Sequence, residues 1–192
     1  MPPHKHQELL TAAIEREGEA QRQLINGDLD AARAEFREVA GLYRQSWEAA
    51  HPGAFGRLVG MLKASVLAGA GPEQAEYALA ELADADSESP TANYARALAA
   101  LIVGEDDDAR ACLRAMGAGG EAFARTAAAI EALAGRDEAA YAAALGAIVR
   151  GFEQRGAHLT GVAIADTAVV LEALAARRGM HAEINSWALP VS

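Results

Sequence analysis

The residues of this chain best suited to chemistry are carboxylates. Glu105-Asp106-Asp107-Asp108 is an unbroken acidic run. It closes a segment, residues 73–108, in which Glu73, Glu76, Glu81, Asp84, Asp86 and Glu88 precede it and Arg96 is the one base. Ten acids against one base make −9, nearly the whole formal net charge of −10. Such a run can bind a cation or a basic surface, or can complement the partial positive charge at a helix N-terminus. A calcium loop needs further ligands at set spacing and an internal glycine, and neither accompanies it. The segment repels phosphate and suits a basic protein or peptide, so nucleic acid is not an expected partner.

A second candidate lies near the C-terminus. His158 sits in the glycine-rich stretch Gly156-Ala-His-Leu-Thr-Gly161, and Asp166 interrupts an apolar run from Val162 to Leu174. A polar side chain in an apolar face needs a partner. Asp166 could orient His158 or pair with Arg177 or Arg178, and a hidden pocket is expected first at this place. His4 and His6 lie in a Pro-led terminus without further ligands, His51 precedes Pro52 in a turn, and no metal or cofactor is expected. Cys112 lies between Ala109 and Met116 on an apolar stripe, which fits a buried, inert thiol and leaves no cysteine to pair with. There is no Gly-x-Ser-x-Gly, no phosphate-binding glycine loop, no His-Glu-x-x-His and no paired-cysteine motif. A non-enzymatic chain is expected, and an enzyme with its site near His158 and Asp166 is the less favoured alternative.

The elements that would position these residues read as helices. Of the 192 residues 49 are alanine and only 5% are aromatic, which makes an all-α chain with a lean core. Apolar spacing predicts nine helices: 7–25, one from Asp28 through Trp47, one carrying Phe55 to Val66, then 73–85, 91–103, 106–116, one with Phe123 to Ala134, 137–154 and 162–178. The second has the clearest stripe, with Ala32, Phe36, Val39, Ala40, Tyr43 and Trp47. Gly56 and Gly60, four apart, would allow a close helix contact. Residues 84–90 read as a polar loop, 1–6 as a flexible terminus and 180–192 as an extended tail on a single domain, 1–192. No stretch approaches the roughly 20 apolar residues that cross a bilayer, and no signal-peptide core begins the sequence, so a cytoplasmic protein is expected.

The turns repeat. Gly27-Asp28-Leu-Asp-Ala31-Ala32, Gly104 followed by its acids and Ala109, and Gly135-Arg-Asp-Glu-Ala139-Ala140 share one grammar. Gly71, Gly104 and Gly135 are spaced near the roughly 34-residue period of tetratricopeptide repeats. Ala20, Ala32 and Phe36 in the first unit, Ala97, Ala109 and Leu113 around Gly104, and Ala128, Ala140 and Ala144 around Gly135 match that family's small and large packing positions. Glu76 departs from it, standing where a small residue belongs. Residues 7–155 thus resemble a degenerate tetratricopeptide-like stack, which implies antiparallel helix pairs in a right-handed superhelix and a protein-binding role.

The tail, from Ala175-Ala-Arg-Arg-Gly179 and Met180 to Ser186 and Leu189-Pro190, resembles the end of certain immunity proteins of bacterial polymorphic-toxin systems. That resemblance implies, as the alternative, a protein that neutralises a basic toxin by binding it. Ile184, Trp187 and Leu189 are expected to dock as a cap, on this chain or on a second copy. An Ala-rich ninth helix could equally supply a two-fold contact between copies.

Overall fold

A computed structural model of the chain describes residues 4–85 and 88–190. Among them the regular structure is entirely helical: α1 Lys5–Ile25, α2 Leu29–Glu48, α3 Gly56–Leu67, α4 Glu73–Glu81, α5 Pro90–Val103, α6 Asp106–Ala111, α7 Leu113–Gly117, α8 Glu121–Ala134, α9 Glu138–Glu153 and α10 Asp166–Ala176. None of these helices is long and apolar enough to cross a membrane. Asp86 and Ser87 of the acidic loop, residues 1–3 and the last two residues lie outside the described part.

Local chemistry starts and stops these helices. The Asp28 carboxylate accepts from the Ala31 N–H, Asp137 from Ala140 and the Ser89 hydroxyl from Ala92, each satisfying a donor that the first turn leaves unpaired. Pro90 fits the first turn of α5, where no backbone donor is missed. Gly104 ends α5 with φ of 88°, a left-handed conformation that a Cβ would strain.

Each helix packs on the next in sequence from α1 to α9, and α3, α5 and α8 also touch across the intervening elements. One hydrophobic cluster runs from Ala13 to Ala188. Alanine supplies much of it, so helices lie close. Phe36, Leu58, Met61, Leu98, Ile130 and Tyr141 fill the spaces between them.

The last helix departs from neighbour-to-neighbour order. α10 packs on α3, α8 and α9, so the end of the chain returns to the face shared by α3 and α8. The loop before it reaches α1, where the Thr160 hydroxyl donates to the Gln21 side-chain oxygen. A Cβ on Gly18 would stand 2.9 Å from the Thr160 carbonyl oxygen, so glycine is what lets the loop approach.

Several expectations are corrected. The helix expected at 106–116 is two short ones. At Cys112 the thiol bonds back to the Asp108 carbonyl, and the Cys112 N–H turns to Ala109, three residues back, which tightens and breaks the ladder. Cys112 is half-buried rather than buried, and burial still raises its thiol pKa. The ninth expected helix starts at Asp166, not 162. The N–H of Ala165 donates instead to the Ala188 carbonyl of the tail, at 2.8 Å. Of the two α3 glycines only Gly60 marks a close contact, since a Cβ there would meet the Tyr43 ring at 2.7 Å and one on Gly56 would meet nothing. His6 is in α1, where its carbonyl accepts from the Ser46 hydroxyl and its ring nitrogen lies 3.0 Å from the Arg57 guanidinium.

The tail docks on its own chain without forming a regular element. Met180, Ala182 and Ala188 are buried, and Ile184 and Leu189 pack partly against the core. Glu172 of α10 accepts from the Ala182 N–H and lies 2.9 Å from the His181 ring, while the Ser186 hydroxyl donates to Glu153. Trp187 does not dock, being 64% exposed.

Candidate functional site

Where α10 and its leading loop meet α1 and α3, ionisable side chains gather around a cleft of about 220 Å³. Asp166 opens α10, with its carboxylate accepting from the Thr167 N–H. It forms an ion pair with Lys63 of α3, and the same ammonium donates to the Thr167 hydroxyl at 3.1 Å. Both side chains are largely buried. Burial alone would lower the Lys63 pKa, but the Asp166 carboxylate, with Tyr94 and Glu17 behind it, more than reverses this and holds the ammonium charged.

Glu17 of α1 lies deeper. It accepts a 2.6 Å hydrogen bond from the Tyr43 hydroxyl of α2. Burial raises its pKa, and the opposing influences of Tyr43 and Lys63 do not cancel that. Burial and the adjacent carboxylate push the Tyr43 phenol far up, so Tyr43 remains a donor. The cleft therefore has one charged pair and one carboxyl biased toward its neutral form.

His158 lines the same cleft as Asp166. Its ring stacks on Phe152, with centroids 4.6 Å apart, and its Nδ1 is buried without a hydrogen-bond partner. The two are not paired with each other. The expected partners of Asp166 are corrected: Lys63 takes it, because the start of α10 faces α3. Arg178, at the far end of α10, reaches Asp106 and donates to the Leu101 and Leu174 carbonyls at 2.7 and 3.2 Å. Arg177 is exposed. Glu17 and Lys63 carry no local signal in the sequence, and Tyr43 reads there only as a packing residue of the second helix's stripe. Glu17 reads as one acid of a mixed helix, and Lys63 as one base at the edge of an apolar stripe.

The acidic segment is divided by the fold. Asp106 faces inward to Arg178 and Arg136. Glu81 accepts from the Trp47 indole N–H at 2.9 Å. Glu73, Glu76, Glu105, Asp107 and Asp108 are exposed, and Asp107 lies 3.9 Å from Arg110. Among the described residues no group of three or more histidines, cysteines and acids could hold a metal ion.

Part of this acidic surface forms a recess of about 360 Å³ at the ends of α2 and α4. Trp47 and Phe55 wall it, their rings 5.7 Å apart, with Glu48, Glu81, Asp84 and His51 around them. Beside the recess the Arg44 guanidinium sits 3.8 Å from the centre of the Tyr77 ring and bonds Glu48. Burial, with Glu81 and Glu48 nearby, pushes the Tyr77 phenol up to about 12.

Comparison with protein-family models, curated proteins and solved structures finds no match for this chain.

Proposed function

We propose that this chain is a non-enzymatic helical-repeat protein, built as a tetratricopeptide-like right-handed stack of helix pairs, that binds a basic protein or peptide in a cytoplasm. The observation that carries this reading is the recess in which Trp47 and Phe55 stand among Glu48, Glu81 and Asp84. An aromatic face beside carboxylates suits a lysine or arginine side chain, which gains cation–π attraction and ion pairing together. Arg44 makes that same pair of contacts, with Tyr77 and Glu48, within the chain itself. The exposed acids on α4 and α6 extend the attraction outward and would speed encounter with a basic surface. Binding is favoured over catalysis because Asp166 is committed to Lys63 and leaves His158 without an acid to orient it. A toxin-neutralising role is the special case in which the basic partner is a toxin.

The test uses Trp187→Phe, which leaves Trp47 as the only indole. Titration with an arginine- and lysine-rich peptide should change Trp47 emission, and the effect should weaken with salt and in the further variant Asp84→Asn. An acidic peptide of equal length should leave the emission unchanged. Equal responses to the two peptides would overturn the proposal.

A further inference from the structure

A third cavity, of about 170 Å³, adjoins the ionic cleft, and Arg155 and Thr167 line both. The two are neighbouring halves of one trough, the new half set between α5, α8, α9 and α10 and the ionic half between α1, α3 and α10. Its new half has an apolar wall of Phe123 and Ile148, with the Tyr94 ring edge-on to Phe123 at 6.1 Å. Engineered cavities of about 150 Å³ hold benzene, so this half has room for one ring.

The rim is cationic in a chain whose net charge is −10. Arg155 extends beyond the end of α9, and among the described residues its guanidinium has no hydrogen bond or ion pair. Its guanidinium carbon lies over the Phe152 ring, 5.6 Å from the centroid. Among the described residues Arg125 pairs only with Glu121, an acid whose own side chain is 86% exposed. The Arg125 guanidinium lies over Gly151, where a Cβ would come within 2.9 Å of it, so α9 has a glycine where the arginine rests. Deeper in, Lys63 is neutralised by Asp166. The surplus of positive charge is therefore at the rim, above the apolar wall.

We infer that this trough binds an organic carboxylate, with its carboxylate between Arg155 and Arg125 and its apolar part against Phe123 and Ile148. A guanidinium matches a carboxylate with two parallel hydrogen bonds, and an apolar wall with a few charged groups at its mouth is the usual form of a small-ligand pocket. Phosphate has no apolar part to set against Phe123 and Ile148, which favours an organic carboxylate over phosphate. The carboxylate can belong to a free acid or to the C-terminus of a peptide, since both present the same group.

Calorimetric titration of the full chain with benzoate, benzamide and inorganic phosphate tests this. Benzoate should bind at least about tenfold more tightly than benzamide, as expected for loss of a charged hydrogen bond. Arg155→Gln, at an exposed position, should weaken benzoate by a similar factor with unchanged melting temperature, and Arg125→Gln, whose side chain is a quarter exposed and packs over Gly151, should weaken it likewise while circular dichroism shows the helical fold retained. An acetylated peptide ending in phenylalanine, compared with its C-terminal amide, separates the sources. Tighter binding of the free-acid peptide than of benzoate assigns a partner's C-terminus, and the reverse order assigns a small acid. No benzoate binding, equal binding of benzamide, displacement of benzoate by equimolar phosphate, or full affinity in Arg155→Gln would each overturn the inference.

Discussion

The ammonium of Lys63 on α3 is closed against the carboxylate of Asp166 at the start of α10, and it also donates to Thr167, 104 residues further along the chain. This contact ties the end of the chain to its first third. Removing one partner of a largely buried pair strands the other charge. Lys63→Met or Asp166→Asn should therefore lower unfolding free energy by about 3 kcal/mol. The double variant Lys63→Met/Asp166→Leu should recover most of the loss. Urea denaturation measures all three, and a single-variant loss under about 1 kcal/mol, the range of an exposed pair, would mean that the pair is not a latch.

Glu17 gives a pH signature of definite sign. Its folded-state pKa lies above the ordinary value of 4.5, so between 4.5 and that raised value the folded chain holds a proton that the unfolded chain has lost. Stability contributed at this site therefore falls as pH rises through that window, and it is independent of pH below it. Glu17→Gln keeps an acceptor for Tyr43 and removes the ionisation. The variant should be more stable than the parent at pH 7, with the advantage shrinking as pH falls to 4.5. Parallel denaturation curves at the two pH values check this, and a constant difference would refute it.

Arg177 and Arg178 are adjacent and alike in sequence, yet their substitutions should diverge. The Arg178 side chain is 6% exposed and joins Asp106 to two helix-end carbonyls. Arg178→Ala should cost about 3 kcal/mol, because it leaves Asp106 short of its main partner and strips buried acceptors. Arg177→Ala should stay within about 0.5 kcal/mol of the parent. Thermal melts of the two variants decide the matter.

Gly56 and Gly60 offer a similar contrast within one helix. Gly60→Ala drives a methyl group into the Tyr43 ring and should destabilise by about 1–3 kcal/mol. Gly56→Ala meets no atom and should be neutral or stabilising by up to about 1 kcal/mol, through helix propensity.

The tail should act as a structural cap. Deleting residues 180–192 exposes the surface that Met180, Ala182 and Ala188 cover and frees the Ala165 N–H, so the melting temperature should drop by several degrees. Trp187→Ser should leave it unchanged, and acrylamide should quench Trp187 more strongly than Trp47, which is partly buried. Equal melting of the truncated and full chains would show that the docking contributes no stability.

The sequence by itself determined the helices and the stops between most of them. The reason is that apolar spacing, caps such as Asp28 and Asp137, and the left-handed Gly104 act within a few residues of themselves. It also marked His158 and Asp166 as neighbours of one apolar region, since an acid in an apolar run is anomalous without any knowledge of its surroundings. Only the tertiary structure decided what Asp166 would meet. The return of α10 to α3 depends on contacts between segments a hundred residues apart, and no local pattern near Lys63 or Glu17 encodes it. The same cause split the acidic segment, turning Asp106 inward to Arg178 while Asp107 and Asp108 stayed in solvent. Tail pairing with Ala165 shortened the last helix for that reason too: a backbone donor takes whichever acceptor the fold brings to it. Local rules place side chains on a helix, and the packing of distant helices decides which of them are held together.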